Sequence, residues 1–466
     1  MENEASNGEA KCGGTTAAHR PHPGRSPPKG VLRVERTWTT DLSHHVGEPV
    51  LLEGWLHHRR RLANRTFLLV RDARGIAQAV VEDRDLAAFL AGLRHESVLA
   101  VEGTATATAQ APGGVEITSP RVTVLAEAEA APPIDLFHPV LSAQLPTLLD
   151  HAALTLRHPR RRASFQVAAA SAAGFRQALR TRDFVEVHTP KIVGSATEGG
   201  ASVFQVDYLG RAAFLAQSPQ LYKQALVGVF ERVFEVGPAF RAEPHDTPMH
   251  LNEFISLDVE MGFVRDHFTV MGLLREVLAG MVAAVGEEAA PALQLLSAEM
   301  PEVPSEIPWL HFAEAVELVE RHTGEELGRA DDLARAHEAW LGEWARREHG
   351  SDFLFVTGYP MAKRPFYTHP DPRRPRFSNS FDLLFRGLEL LTGGQRLHRH
   401  ADYLAALGAR GIDPAPFAGY LDAFKYGMPP HGGFAIGLER WVARLVGAAN
   451  IRETALFPRD LTRLSP

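Results

Sequence analysis

The sequence predicts an α+β protein with two folded domains: a small β-barrel, then a larger domain in which helices flank an antiparallel sheet. Three observations carry this. At 466 residues the chain exceeds what one ordinary hydrophobic core supports. Short β-rich runs fill residues 31–130. Beyond about 150, strands come in runs with helices inserted between them, the α+β pattern.

Residues 1–30, rich in Gly, Pro and Ser with few apolar residues, read as a disordered extension. Residues 31–130 hold five β-rich runs: Val50–Leu56, Thr66–Arg71, Ala77–Val81, Val98–Gly103 and Val122–Leu125. Turns such as Asp72–Gly75 separate them, and a helical piece, Asp85–Gly92, lies between the third and fourth. Five strands with one internal helix suit an OB-fold barrel. Ala130-Ala131-Pro132-Pro133 marks a linker, taken as 131–150. The second domain is 151–466. There Arg162–Arg180 is helical, and Phe184–His188 is a strand ending at Thr189-Pro190. Further strands fall near 212–216, 233–240, 253–263, 353–357, 380–390 and 432–437. Residues 267–285 read as a helix, with Met271, Leu274, Leu278 and Met281 at helical spacing. So do 312–322 and 332–346. No internal repeat is visible.

Hydrophobic content of 45% and charged content of 23% fit a soluble globular protein. No apolar run near the membrane-spanning length is seen, so no membrane span or secretory signal is expected. The single cysteine, Cys12, cannot form a disulfide framework within one chain, and a cytoplasmic location fits. A net charge of -7 argues against nucleic acid contact over the whole surface but leaves room for a local basic patch.

Two short stretches place an arginine in an apolar or glycine-rich frame. One is Phe240-Arg241-Ala242-Glu243, followed by His250-Leu251-Asn252-Glu253-Phe254. The other is Gly432-Gly433-Phe434-Ala435-Ile436-Gly437-Leu438-Glu439-Arg440. A buried guanidinium is costly unless an anion meets it, so two of them suggest a polyphosphate held between. Arg241 can reach an α-phosphate from a strand. Arg440, at the start of a helix beginning near Trp441, can hold distal phosphates. Gly432, Gly433 and Gly437 let the backbone approach a nucleotide. Phe254 offers a stacking face and Glu243 a carboxylate for an amino group. Singly, each would pass for a surface arginine or a core phenylalanine; their joint occurrence favours a site.

Together these stretches resemble motifs 2 and 3 of the class II aminoacyl-tRNA synthetases, which grip ATP on an antiparallel sheet. Other segments resemble the aspartyl-tRNA synthetases of the archaeal type. Thr189-Pro190-Lys191-Ile192-Val193 with Ala196-Thr197-Glu198-Gly199-Gly200 looks like motif 1 and a mobile loop. Phe214 to Gln224 looks like the amino acid pocket. Phe381-Asp382-Leu383, Glu389, Gly393-Gly394-Gln395-Arg396 and His398-Arg399-His400 look like the metal and side-chain segment, and Tyr426 to His431 leads into motif 3. The resemblance covers nearly everything from residue 31 to Pro466. It implies ATP-dependent activation of L-aspartate to aspartyl-adenylate, transfer to the 3′ end of tRNA(Asp), and a homodimer formed through motif 1.

By that resemblance Arg241 and Arg440 are the catalytic cations, and Glu243, His250, Leu251, Phe254, Glu389 and Gly437 join them around ATP. Lys223 and Arg396 supply two cations for one side-chain carboxylate, which asparagine would leave partly unpaired. Asparaginyl-tRNA synthetases keep the arginine but lack the lysine, so Lys223 decides between the two. Ser218 also lies in the amino acid pocket, while Glu198 and Gln220 would hold the α-amino group. Glu389 and, through water, Asp382 would bind Mg2+, with the Thr392 hydroxyl replacing the serine of relatives. Asp382 and Glu389 are expected on one strand, where a spacing of seven would put them on opposite faces. One departure stands out: relatives carry an arginine where this chain has Met249. His245 is a candidate substitute.

On the barrel, Arg59, Arg60 and Arg61, with Arg65 and Arg71 nearby, are expected to form a basic patch. The resemblance assigns Arg60, Phe67, Gln78 and Glu102 to the anticodon, by stacking and polar base edges. Alone, Phe67 would pass for barrel core. His57 stands where strict enzymes have tryptophan, and Pro120 is a second mark of relaxed reading. Charging of tRNA(Asn) as well as tRNA(Asp) is therefore expected, which leaves open an amidotransferase partner. Three alternatives stay in view: an asparaginyl-tRNA synthetase, a paralogue that amidates aspartate, and a catalytically silent tRNA-binding protein.

Overall fold

The computed structural model describes residues 35–194, 202–244, 246–327 and 330–465. The N-terminal extension with Cys12, the loop residue Glu198 and His245 lie outside the described residues. The chain divides into two units between Ala131 and Pro132.

In the first unit five strands close into a barrel: β1 (Pro49–Leu62), β2 (Arg65–Arg71), β3 (Ile76–Val81), β4 (Val98–Ala107) and β5 (Val115–Ala126), with helix α1 (Arg84–Gly92) between β3 and β4. The order is β1-β2-β3-β5-β4, closing back on β1, and only β3 and β5 run parallel. This is the OB-fold arrangement expected from the strand and helix count. Alternate residues such as Val50, Leu52, Leu68, Val70, Leu99 and Val101 fill the interior. Asp83 starts α1 by accepting the Leu86 N–H at 2.7 Å.

The second unit opens with short helices α2 (Leu145–Asp150) and α3 (Ala152–Thr155), then the long α4 (Pro159–Arg180). Strands β6 (Val185–Glu186), β7 (Ile192–Val193), β8 (Gln205–Tyr208) and β9 (Arg211–Leu215) precede α5 (Gln220–Phe230). Next come β10 (Arg232–Phe240), β11 (Glu253–Gly262), α6 (His267–Glu288), α7 (Ala290–Leu296), β12 (Trp309–His311), α8 (Phe312–Thr323) and α9 (Arg335–His349). The chain ends with β13 (Phe353–Thr357), β14 (Ser380–Phe385), β15 (Leu388–Gln395), α10 (His400–Ala409), α11 (Ala418–Lys425), β16 (His431–Gly437) and α12 (Leu438–Val446). Eight strands form the main sheet in the order β12-β13-β14-β15-β16-β11-β10-β6. Its interior pairings are antiparallel, but each edge pair, β12–β13 and β10–β6, is parallel, so the sheet is mixed. A separate small sheet runs β7-β9-β8.

Three expectations need correction. Residues 380–390 are two strands of a hairpin, not one. Arg386 and Gly387 take φ of 49° and 72°, which is the two-residue turn with both central residues left-handed. Asp382 therefore sits on β14 opposite Thr392 on β15, and Glu389 lies on β15. The helix carrying Arg440 begins at Leu438, three residues before Trp441. Finally, α6 is long and apolar enough, by length and composition, to cross a membrane. Its stripe of Val270, Met271, Leu274, Val277, Leu278, Met281 and Val285 is buried in the core that it shares with α4 and the sheet, which accounts for that composition.

Close backbone approach fixes the hairpin's position. A Cβ on Gly342 of α9 would overlap the backbone of Gly387, and one on Gly387 would lie 2.9 Å from Ala339 Cα. Gly342→Ala gains about 1 kcal/mol of helix propensity, but overpacking against backbone costs about 1–3 kcal/mol. The variant is expected to unfold at a lower temperature in calorimetry.

Candidate active site

A cavity of about 360 Å³ opens over the central strands of the second unit. Side chains of β11 alternate, so Phe254, Ser256, Asp258 and Glu260 share one face. Glycine and alanine oppose the last three: Ser256 pairs with Gly437, Asp258 with Ala435 and Glu260 with Gly433. A Cβ at Gly433 would overlap the Val259 carbonyl and the Glu260 carboxylate. Small residues on β16 thus leave the space that the β11 side chains and a ligand occupy. Arg241, Glu243, His250, Leu251, Phe254, Glu389, Thr392, Gly437, Arg440, Ser218, Gln220, Lys223 and Arg396 all line this one cavity, as does Met249.

At one end the guanidinium of Arg241 lies 5.4 Å from the Phe254 ring centroid. Its Nε is buried without a hydrogen-bond partner among the described residues, an unmet demand for an acceptor. Asn252 steadies this segment by donating to the carbonyls of Arg241 at 2.7 Å and Glu243 at 3.3 Å. His250 Nδ1 is 2.6 Å from the Thr247 hydroxyl, and its Nε2 faces the Glu243 carboxylate at 3.9 Å. Arg440 leans over β15, donating to the Glu389 carbonyl at 3.4 Å. Its neighbour Glu439 is buried and accepts the Ile255 N–H with both oxygens, at 3.1 and 3.0 Å, tying α12 to β11.

At the other end the two expected cations meet, but not as a bare pair. Lys223 Nζ lies 3.0 Å from Asp258 Oδ1 and 3.4 Å from Glu260 Oε2. It also faces the carbonyls of Val259 and Phe434, each at 3.3 Å. Arg396 donates Nε to Glu260 at 3.1 Å and Nη2 to the Gly433 carbonyl at 3.0 Å. All four charged side chains are nearly inaccessible to solvent. Burial pushes the Glu260 carboxyl up, but Arg396 and Lys223 outweigh it and hold the group below its usual range. Two cations are therefore already balanced by two carboxylates. The expectation of two unpaired cations waiting for one carboxylate is corrected: Asp258 and Glu260 share the site and were not singled out in the sequence. Their i, i+2 spacing on a strand facing Lys223 was the available signal. Gln220 presents a buried Nε2 with no partner among the described residues, in the same region.

Between the ends lies the hairpin β14–β15. The Thr392 hydroxyl donates to Glu389 Oε1 at 3.3 Å. Burial, then the charge of Asp382, push the Glu389 carboxyl up to about 7. Asp382 does not line the cavity. It accepts from Arg364 Nη2 at 2.9 Å, and that guanidinium sits 4.1 Å from the Tyr359 ring centroid. Arg364 itself reaches the cavity wall. It was missed in the sequence, although Lys363-Arg364-Pro365-Phe366 shows the same arginine in an apolar frame. Among the described residues no group of three or more His, Cys, Asp or Glu forms a metal cage. A hard cation bound jointly by nucleotide phosphates needs only one or two protein oxygens. A buried carboxylate beside a hydroxyl fits that need at Glu389 and Thr392. Asp382 is committed to Arg364.

On the barrel the pairing register puts Arg60 beside Phe67, Leu69 beside Gln78, and Gln78 beside Glu116. Arg60 lies 5.2 Å from the centre of the half-buried Phe67 ring. Gln78 is buried and donates to Glu116 at 2.9 Å. Glu102 accepts from Arg121 at 2.7 Å, and Pro120 packs near Gly103 of the neighbouring strand. The basic patch is smaller than expected. Arg71 is 1% exposed and grips Glu96 with two bonds of 2.8 and 2.7 Å. Arg59 caps α1 through the carbonyls of Leu90 and Leu93. Arg65 pairs with Glu82. His57 is the extra residue of a β-bulge between Leu56 and His58. The bulge turns its ring inward, where Nδ1 accepts from Arg71 at 3.0 Å. A bulge has no signature in residue types alone, so the inward turn of His57 could not be read from the sequence.

Comparison with known proteins agrees with this geometry. Residues 144–461 match the family described as tRNA synthetases class II (D, K and N), and residues 50–125 match the OB-fold nucleic acid binding domain. The chain is 47% identical to the aspartate–tRNA(Asp/Asn) ligase of Thermus thermophilus, covering 92% of this chain and 100% of the relative. It is 40% identical to the aspartate–tRNA(Asp) ligase of Thermoplasma acidophilum, covering 93% and 100%. Among solved structures, asparaginyl-tRNA synthetase from Pyrococcus horikoshii with asparaginyl-adenylate superimposes with a TM-score of 0.86 at 31% identity, covering 93% of this chain and 100% of that one. Aspartyl-tRNA synthetase from Entamoeba histolytica gives 0.83 at 29% identity, covering 93% of each.

The buried Glu439 makes a pH test. Burial raises its carboxyl from 4.5 to about 7. A folded-state pKa above the unfolded one means that the folded form holds the proton more tightly. The stabilisation is full below about 4.5 and is lost as pH rises through about 7. Thermal midpoints of the parent should fall across this window, and E439Q, which cannot ionise, should show a shallower fall.

Proposed function

This chain belongs to the class II tRNA synthetases of the D, K and N group, and from that premise we propose that it joins L-aspartate to tRNA(Asp) and tRNA(Asn). The observation that carries the reading is a single cavity lined by Lys223 and Arg396 toward one end and by Arg241 and Arg440 toward the other, which would take a carboxylate and a polyphosphate. Family members use ATP as the second substrate. The aspartate carboxylate attacks the α-phosphorus, pyrophosphate leaves, and aspartyl-adenylate forms. The terminal ribose hydroxyl of tRNA then attacks the acyl carbon, and AMP departs. No protein nucleophile is required; placement and charge supply the rate. Arg241 would meet the α-phosphate and Arg440 the distal phosphates, while the adenine would rest on Phe254 with its amino group toward Glu243. Glu389 and Thr392 would hold Mg2+, which would neutralise phosphate charge when bound.

Selection of aspartate follows from the buried quartet. Lys223 and Arg396 have only donors. Arg396 retains N–H groups for a ligand carboxylate, whereas an asparagine amide nitrogen facing donors is left unpaired. Lys223 also covers Asp258 and Glu260, the acceptors that an amide would otherwise find. Asparaginyl-tRNA synthesis is therefore disfavoured, the intact OB-fold barrel weighs against a paralogue that amidates aspartate, and the retained site weighs against a silent tRNA-binding protein.

The barrel, residues 31–130, would read the anticodon, 131–150 would serve as a hinge and 151–466 would catalyse. Arg60 and Phe67 form the stacking element, with Gln78, Glu102 and Pro120 alongside. Support for two tRNAs comes from His57, because a tryptophan there could not accept the Arg71 hydrogen bond, and from the Asp/Asn specificity in the name of the Thermus relative. Aspartate placed on tRNA(Asn) would need an amidotransferase to become asparagine. A homodimer through the β6 edge and motif 1 is proposed, with Val185 and Ile192 exposed there. The cytoplasm is the proposed location.

Purified enzyme should support ATP–pyrophosphate exchange with aspartate and charge tRNA(Asp) and tRNA(Asn) transcripts measured side by side; exchange with asparagine alone would overturn the assignment. K223M uncovers two buried carboxylates, and breaking such a pair costs about 3–5 kcal/mol. Its preference for aspartate over asparagine in exchange should fall by about 100-fold or more, with a lower melting temperature.

A further inference from the structure

Helix α9 approaches the turn of the β14–β15 hairpin closely. Glu338 and Ala339 are adjacent on this helix, and each lies about one turn from Gly342, at i, i+4 and i, i+3 spacing. Gly342 and Ala339 press on Gly387, at the hairpin turn, so closely that neither glycine can carry a side chain without displacement. Arg386, the other turn residue, is held by Asp352 at 3.1 Å and by the Glu299 carbonyl at 2.8 Å. Against this clamped turn, Glu338 is buried and its Oε2 accepts the N–H of Glu389 at 3.1 Å.

That bond is unusual in its position. Leu384 pairs with Glu389 just past a register shift between Leu383 and Leu384. A shifted ladder leaves backbone groups without a regular partner. Glu338 satisfies the Glu389 amide from another element, and so fixes the main chain that carries the Glu389 carboxylate and, three residues on, the Thr392 hydroxyl. Desolvating a third carboxyl beside Asp382 and Glu389 is costly, and nothing in the packing of α9 demands an acid there. An apolar residue would fill the volume but leave the Glu389 amide unpaired.

We propose that Glu338 is a positioning residue for Glu389, holding the β15 main chain so that the carboxylate and the Thr392 hydroxyl face the cation of the bound nucleotide. The inference rests on the proposed metal role of Glu389. Groups that support an oxygen ligand from outside its coordination shell commonly change metal affinity by about 10–100-fold when removed.

The test titrates each enzyme into Mn2+·ATP without amino acid and reads water-proton relaxation, which reports the ternary complex independently of turnover. E338A and E338N, the second withdrawing the acceptor by one methylene, should weaken Mn2+·ATP binding by about tenfold. E338Q keeps an acceptor oxygen and should bind like the parent. The KM for aspartate at saturating Mg2+ should stay unchanged in all three, whereas general damage to the fold would move it. If E338A does not fold, E338N decides. Parent-like binding by E338A or E338N overturns the proposal, and so does E338Q binding as weakly as E338A, since charge and not placement would then matter. E389Q is the control: parent-like binding there overturns the metal role of Glu389 itself, and the role of Glu338 with it.

Discussion

Four buried charges, Lys223, Asp258, Glu260 and Arg396, constrain everything around them. Each comes from a different position on the fold: α5, two places on β11, and the end of β15. None could be buried alone, because an isolated ion in a low-dielectric interior costs far more than one contact returns. Burial is possible only when the strands bring all four to within bonding distance. The quartet therefore links the register of β11, β15 and β16 to the chemistry of the pocket. It also explains the glycines of β16: Gly433 must lack a Cβ because Glu260 fills that space.

The end proposed to hold the phosphates follows a different logic. Among the described residues neither Arg241 nor Arg440 forms a salt bridge, and the buried Arg241 Nε has no hydrogen-bond partner there. One end of the cavity is thus electrically balanced and selective through hydrogen-bond type, while the other keeps cationic demand for a polyanion. The hairpin between them carries Glu389, whose raised pKa reflects burial and the nearby Asp382. Charge at the site is graded along a single sheet, which lets one substrate be read by shape and donor pattern and the other be held by electrostatics.

The barrel illustrates how one inserted residue redirects chemistry. Ordinary alternation would have placed His57 outward with its neighbours. The bulge on β1 instead sends it to the buried Arg71–Glu96 pair, and two of the cations that the sequence offered as a surface patch become structural. Arg60 and Phe67, paired across β1 and β2, remain on the half-buried outer face.

Much was legible in the chain itself. Five β-rich runs with an inserted helix gave the barrel, because strand alternation and turn residues are local properties. The FRxE and GLER stretches pointed to residues that line one cavity, because an arginine in an apolar frame is informative wherever it folds. Lys223 and Arg396 were also visible as a pair of cations. Tertiary structure alone decided their partners, since Asp258 and Glu260 acquire meaning only when β11 lies under α5 and beside β16. It alone showed that Asp382 belongs to Arg364, that 380–390 turns back on itself, and that Glu338 reaches Glu389 from 51 residues away. The physical reason is the range of the interactions: periodicity and turn chemistry act between near neighbours, whereas charge neutralisation and amide pairing depend on where distant segments meet.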